Sequence, residues 1–136
     1  MNHASLLNEK KVCSYLNARN YRAPELFLGY LNYGLGVDMW AVGCVIAEMV
    51  RLKPLFWGEK SATILERIVT VAGGLSAKLV ERYSGSSGLV FQTNPPRIQN
   101  KVVTNDTRLL SLVCALLNVD DQARLSAAQC LDLLGS

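Results

Sequence analysis

The sequence offers few side chains that could ligate a metal or form a redox pair. Its cysteines lie far apart and form no C-x-x-C pair: Cys13, Cys44, Cys114 and Cys130. The single histidine, His3, therefore has too few neighbouring ligands for the usual Cys/His type of zinc site. We expect reduced, buried or half-buried thiols in an intracellular protein of the cytoplasm, the nucleus or both.

A glycine-rich loop that could hold the phosphates of a nucleotide is also missing from the sequence. Gly34-x-Gly36 begins like the G-x-G-x-x-G pattern, but Met39 stands where the third glycine is required. Phosphoryl transfer further needs a lysine, an aspartate base and magnesium ligands. The sequence contains no V-A-I-K, H-R-D or D-F-G motif. We therefore expect no catalytic residue, no cofactor site and no metal site on these 136 residues.

Composition indicates a folded chain and excludes two classes of partner. Half of the residues are hydrophobic and only 18% are charged, which is typical of a protein with a core. The net charge of +3 comes from basic residues scattered among acidic ones, so no nucleic-acid footprint is predicted. The longest apolar run, residues 39–50, is shorter than the roughly 20 residues that span a bilayer. No membrane segment is predicted.

The hydrophobic pattern predicts a mainly α-helical chain with long loops and no strand. Pro24 can open a short helix, and longer helices are predicted over 39–50, 61–72, 75–83, 104–118 and after 126–129. Asp38 is predicted to cap the helix at 39–50, since its carboxylate can accept free amides of the first turn. That helix is apolar on nearly every face and should be central. Gly43 in its interior costs helix propensity and suggests a close approach of another backbone, with neutral drift as the alternative.

Four ordered motifs resemble the large lobe of a eukaryotic protein kinase domain. R-N-Y-R-A-P-E at 19–25 resembles the end of an activation segment with its A-P-E motif, and D-M-W-A-V-G at 38–43 resembles the start of the F helix. P-L-F-W-G at 54–58 and the L-L-x-x-D and A-R-L-S elements at 116–126 follow at suitable spacings. The resemblance covers residues of about 12 to 134. It implies a partial kinase domain over 1–136, with an activation-segment loop at 1–20 and a helical C-lobe body at 21–136.

Within the kinase family, Arg19-x-Tyr21-Arg22 resembles the CMGC group of cyclin-dependent, mitogen-activated and glycogen synthase kinases. Tyr15, with Arg19 four residues later, is most similar to the glycogen synthase kinase or shaggy branch. The resemblance implies an activating phosphotyrosine at Tyr15, whose charge could pair with Arg19 or Arg22. An unmodified loop tyrosine is the equal alternative. Arg22 resembles the arginine that shapes the pocket for the residue after the phosphoacceptor.

The resemblance also implies structural roles. Glu25 and Arg124 would form an ion pair that ties the activation segment to the last helices, although without the resemblance each would be read as a solvated surface charge. Asp38 would also hydrogen-bond the catalytic loop, and Trp40 would belong to the core. The implied substrate-pocket residues are Tyr15, Ala18, Arg19 and Arg22. The implied structural residues are Ala23, Pro24, Glu25, Asp38, Trp40, Gly43 and Arg124.

Several positions depart from the family pattern. Ala18 replaces a serine or threonine, Asn20 an aromatic residue, Trp57 a proline, and Asp121 the proline after Asp120. The resemblance places everything that touches ATP and magnesium before residue 1, so the chain alone is expected to be inactive.

Three hypotheses follow from these motifs. The chain is part of a CMGC Ser/Thr kinase, a non-catalytic pseudokinase-like fragment that docks proteins, or an unrelated helical interaction domain. The first is favoured and the second is kept as the alternative. In the chain as given, the absence of the catalytic loop predicts exposed apolar surface around Trp40, Val42 and Ile46.

Overall fold

The computed structural model describes residues 18–85 and 94–135, and these residues form a helical fold. A 3₁₀ turn covers Ala18–Tyr21 and is followed by α1 (Pro24–Phe27), α2 (Gly36–Arg51), α3 (Ser61–Val71), α4 (Ala77–Ser84), α5 (Ile98–Lys101), α6 (Thr107–Leu116) and α7 (Ala127–Gly135). The described ranges contain no β-strand, which confirms the mainly α prediction. The 3₁₀ turn and α5 were not predicted. The proposed boundary at residue 20 falls inside the turn and stays a prediction.

Helix α2 is central and begins earlier than its sequence predicts. The amide of Met39 donates to the carbonyl of Leu35 at 3.3 Å, so helical hydrogen bonding already includes Asp38. Leu35 is the N-cap, without a side-chain cap, and Asp38 is an exposed residue of the first turn. The prediction that Asp38 caps the helix is therefore wrong. Its carboxylate still lies near the positive end of the helix dipole, where a negative charge is favourable. The hydrogen bond from Asp38 to a catalytic loop stays a prediction.

One face of α2 is packed into the core and the opposite face is open. Trp40, Gly43, Cys44 and Ala47 recur at helical spacing and are buried. Trp40 is 0% exposed, and its ring stacks on Phe56 with centroids 5.6 Å apart.

The expectation of an exposed surface around Trp40 is wrong, because the turn at 54–58 brings Phe56 over its ring. Ile46 is half-buried, whereas Val42 is exposed as expected. The exposed stripe runs instead through Val42, Val45 and Met49, which are 42%, 47% and 70% exposed.

The buried face of α2 packs against α6 at Gly43. A Cβ at this glycine would lie 2.8 Å from Leu117 Cδ2 and 2.9 Å from Leu116 Cβ. Real side chains do not approach so closely, so the contact between the two helices requires a residue without a side chain. Gly43 does mark a close approach, but the atoms nearest to it belong to leucine side chains and not to the backbone that the sequence suggested.

The ends of the other helices follow local sequence signals. Helix α3 ends at Val71, before Gly73, which has a positive φ of 119°, as the glycine pair predicts. Ser76 and Asp106 cap α4 and α6 by accepting the amides of Leu79 and Leu109 at 3.2 and 3.0 Å. At the start of α7 two reciprocal bonds form between Ser126 and Gln129, as predicted for a capping box. None of the helices in the described residues is long and apolar enough to cross a membrane.

Candidate functional site

Arg124 joins the beginning and the end of the described fold. Its Nη1 and Nη2 donate to the two carboxylate oxygens of Glu25 at 2.7 and 2.9 Å. Nη1 also donates to the carbonyl of Gly36 at 2.9 Å, and Nε donates to the carbonyl of Asn118 at 2.9 Å. The guanidinium carbon lies 5.1 Å from the centroid of the Trp40 ring. One side chain therefore fixes α1, the start of α2 and the loop before α7.

The Glu25–Arg124 pair is buried rather than solvated. The two side chains are 1% and 0% exposed, and both carboxylate oxygens of Glu25 accept from the guanidinium. A planar, two-bond arrangement of this kind is the strongest geometry available to an arginine and a carboxylate. The ion pair implied by the kinase resemblance is thus present, and the alternative of two surface charges is excluded.

A second polar network positions the loop that carries Arg124. Arg82 Nη1 on α4 donates to Oδ1 of Asp120 and of Asp121 at 2.9 and 2.8 Å. The hydroxyl of Tyr83 donates to the carbonyl of Val119 at 2.6 Å and accepts the amide of Asp121 at 2.9 Å. A proline at position 121 would have no amide to donate. Asp121 therefore makes two contacts that a proline at this position could not make: its amide donates to Tyr83 and its carboxylate accepts from Arg82.

Burial and partner charges shift the pKa of several groups near the core. Burial opposes ionisation of Asp120, but the hydrogen bond from Arg82 and backbone amides outweigh it and hold the pKa of this carboxyl below its usual value. Burial, followed by the hydrogen bond to Glu48 at 2.6 Å, raises the pKa of Tyr21 to about 12. Burial also raises the pKa of the Cys44 thiol, so this cysteine stays protonated and unreactive.

Arg19 anchors the turn that precedes the A-P-E motif. Its guanidinium donates to Ser61 Oγ at 3.1 Å and to the carbonyl of Glu59 at 2.5 Å. These bonds attach the 3₁₀ turn to the start of α3. Local spacing does not indicate this contact, because the partners are about 40 residues apart.

The remaining implied pocket residues lie at the surface next to this anchor. Ala18 and Arg22 are exposed, and the guanidinium carbon of Arg22 is 5.7 Å from the centroid of the Phe27 ring. Ala23 is buried and precedes Pro24, the first residue of α1. Tyr15 lies outside the described residues. The substrate-pocket roles of these residues stay predictions.

The expectation that no ATP or magnesium site lies on these residues stays a prediction. Within 18–85 and 94–135, no group of three or more metal-ligating side chains comes together. The two acidic residues in the loop that carries Arg124, Asp120 and Asp121, are already engaged by Arg82. We assign no step of phosphoryl transfer to this part of the chain.

Comparisons with known proteins agree with this architecture. The protein kinase domain family matches residues 2–133. Mitogen-activated protein kinase mpkC of Aspergillus clavatus is 34% identical over 131 residues, which cover 92% of this chain and 34% of the relative. Human mitogen-activated protein kinase 12 is 31% identical over 128 residues, which cover 90% and 35%. A solved structure of a MAP kinase from Leishmania major matches with a TM-score of 0.74 and 32% identity, over 87% of this chain and 40% of that one.

This chain belongs to the protein kinase domain family, and its helices correspond to the large lobe. Its similarity to mitogen-activated protein kinases supports the CMGC group. The narrower resemblance to the glycogen synthase kinase branch, based on Tyr15 and Arg19, stays a prediction. The chain spans about a third of the length of the curated relatives described above.

Proposed function

We propose that this chain is the C-lobe portion of a CMGC-type protein Ser/Thr kinase. In the complete domain, phosphate is transferred from ATP to serine or threonine of a protein substrate, and this portion supplies the end of the activation segment and the pocket beside the phosphoacceptor. The buried, two-bond pair between Glu25 and Arg124 carries the proposal. It attaches the A-P-E helix to the loop before α7, as the kinase resemblance implies, and it does so with two fully buried charges.

Arg22 is the residue through which this portion would contact a substrate. It follows the turn anchored by Arg19 and precedes the buried Ala23, so its backbone is held from both sides while its side chain is exposed. In a longer active kinase that contains this chain, Arg22→Ala is expected to raise the KM for the protein substrate about tenfold and to leave the KM for ATP unchanged. Equal effects on both constants would contradict the assignment of Arg22 to the substrate pocket.

The proposal includes inactivity of the isolated chain. Purified chain titrated with magnesium and ATP in a calorimeter is expected to show no saturable heat, because the sequence lacks the V-A-I-K, H-R-D and D-F-G motifs through which a kinase binds them. Saturable binding at micromolar concentration would overturn this part of the proposal. An intracellular location is also proposed, since the described cysteines Cys44, Cys114 and Cys130 are free thiols, as in a reducing compartment.

A non-catalytic, pseudokinase-like docking protein is the second candidate. The observation that favours it is Ala18, which is exposed at the start of the 3₁₀ turn and lacks the hydroxyl that kinases usually carry at this position. The two candidates differ in the size of the natural product. Intact mass of the endogenous protein, captured with an antibody against residues 104–136, is expected to exceed 14.9 kDa for a kinase. A species at 14.9 kDa would favour the docking protein.

A further inference from the structure

Three separate segments bring four basic side chains to one side of the fold. Arg51 ends α2, Lys53 follows it, Arg67 lies on α3 and Lys101 ends α5. They line two cavities of about 320 Å³ each, which share Lys101 as a wall. We call these four residues the basic cluster. No local sequence pattern indicates it, because basic residues 50 positions apart meet only in the folded chain.

The basic cluster forms no ion pair among the described residues. Arg51 Nε donates to the carbonyl of Lys101 at 3.1 Å, and Nη1 donates to the carbonyl of Pro54 at 2.6 Å. Both acceptors are neutral, so they do not balance the charge of Arg51. Glu66 lines the first cavity, yet within the described ranges it forms no ion pair with the cluster. Its single negative charge against four positive ones leaves a local net charge of +3, equal to the net charge of the whole chain.

Two guanidinium groups of the cluster, those of Arg51 and Arg67, are close enough for their charges to interact. Partial burial and, after it, the neighbouring charge of Arg67 lower the pKa of Arg51. An anion placed between these guanidinium groups would remove that repulsion. The rest of this sequence is a poor source of it, because residues 86–93 contain no acidic side chain and Glu9 in residues 1–17 is followed by Lys10 and Lys11. The neutralising group is therefore sought outside these 136 residues.

The surroundings of the cluster favour a peptide over a nucleic acid. Val50, Val71 and Val103 line the same two cavities, and Val103 is 80% exposed. The aromatic ring nearby, Trp57, is covered by the Arg67 guanidinium, whose carbon lies 4.2 Å from the ring centroid. One face of Trp57 is thus unavailable for stacking on a base, which is a main source of affinity for single strands. A peptide that carries carboxylates and an interspersed apolar side chain matches both the positive charge of the cluster and the valines that line its cavities.

We propose that the basic cluster is a docking site for an acidic segment of a protein partner. Carboxylates of the segment would occupy the two cavities on either side of Lys101, and an apolar side chain would cover Val103. This inference goes beyond the proposed kinase function and stands if the chain proves non-catalytic, since none of the four residues belongs to the Glu25–Arg124 site.

The test is binding of a short fluorescent peptide of alternating acidic and leucine residues to the intact chain, followed by anisotropy. Lys53→Gln with Lys101→Gln is the informative variant, since both lysines are exposed and donate no side-chain hydrogen bond within the described residues. We expect about tenfold weaker binding, from two lost rim charges of up to about 1 kcal/mol each. Lys78→Gln, an exposed lysine on α4, is the matched control and should bind like the unmodified chain.

Two further probes make the outcome decisive. The same peptide with glutamine and asparagine in place of its acidic residues is expected not to bind, and affinity for the acidic peptide should fall as salt rises. Equal binding of the neutral peptide, or an equal loss in Lys78→Gln, would overturn the proposal. A single-stranded RNA of the same net charge that binds more tightly than the peptide, and loses affinity in the double variant, would overturn the protein partner in favour of a nucleic acid.

Discussion

At the scale of single residues, Arg124 gathers partners that are distant in the sequence. Glu25 is 99 positions away and Gly36 is 88 positions away, yet both receive bonds from the same guanidinium. A lysine could not replace it, because one ammonium cannot form two parallel bonds to a carboxylate while also contacting two carbonyls and a ring face. The identity of residue 124 is therefore more constrained than its charge alone requires.

Removing one partner of this ion pair is expected to be highly destabilising. Arg124→Ala or Glu25→Gln should lower the free energy of unfolding by about 3–5 kcal/mol, because the other charge remains buried without a counter-ion. Urea unfolding of each variant measures the loss. Arg124→Lys should fall between the alanine variant and the unmodified chain.

Arg82→Gln is the matched control for this prediction. Arg82 also bridges carboxylates, but its side chain is 29% exposed. Its loss should cost at most about 1 kcal/mol, as for other solvent-accessible pairs. An Arg124→Ala variant that loses no more stability than Arg82→Gln would show that the buried pair is not the main attachment of α1.

The sequence allowed the Glu25–Arg124 pair to be predicted only through the kinase resemblance. No periodicity connects a residue of α1 with the loop before α7, and each charge alone is typical of a solvent-exposed position. Arg19 shows the same limit, because its contacts with Glu59 and Ser61 depend on how α3 packs against the 3₁₀ turn. Contacts between distant segments are determined by packing, which a local pattern does not encode.

At the scale of elements, the contact between α2 and α6 determines how closely the central helix is held. Gly43 is the point of closest approach, and the atoms that a Cβ would meet belong to two leucines of the α6 end, Leu116 and Leu117. The side chain of Leu117 has some freedom to move, but Leu116 Cβ is fixed by its own backbone.

Gly43→Ala is therefore expected to destabilise the fold although alanine is the better helix former. Overpacking costs about 1–3 kcal/mol, which exceeds the gain of about 1 kcal/mol from helix propensity. The net loss should appear as a lower urea midpoint. Gly34→Ala is the control, since a Cβ there meets nothing within 4 Å. A Gly43→Ala chain at least as stable as the unmodified one would show that the two helices can separate without cost.

Helix positions were easier to predict than helix ends. Helices α3 and α6 have apolar residues at clear helical spacing, and both formed within a few residues of the predicted ranges. Asp38 was misassigned because an acidic residue before an apolar run satisfies the capping rule whether the helix begins directly after it or three residues earlier, as it does here at Gly36. Helix α5 has one buried residue, Ile98, which is too little to produce a periodic pattern.

At the scale of the whole molecule, the fold separates a packed side of α2 from an open one. The sequence predicted that this helix is apolar on nearly every face, but it did not indicate which face would remain uncovered. The assignment of Trp40 to the core was right, but the expectation of exposed apolar surface around it was wrong, because its cover, Phe56, comes from a turn sixteen residues later. The exposed residues Val42, Val45 and Met49 lie three and four positions apart and form one continuous stripe.

Replacing this stripe with glutamine is expected to improve the behaviour of the isolated chain without loss of stability. The variant Val42→Gln, Val45→Gln, Met49→Gln removes apolar area that attracts other chains, and glutamine is at least as good a helix former as valine. Light scattering and binding of an apolar dye should both decrease, while the free energy of unfolding stays within about 0.5 kcal/mol of the unmodified chain.

Leu131→Gln with Leu134→Gln on α7 is the control, because these leucines are 72% and 53% exposed but lie on another helix. If the stripe on α2 is the dominant aggregating surface, the α7 variant should change dye binding much less. A decrease of the same size in both variants would mean that exposed apolar area in general, rather than the face of α2, limits solubility. A sharply folded unmodified chain that binds no dye would instead show that the stripe is already covered in solution, and the triple variant should then lose stability.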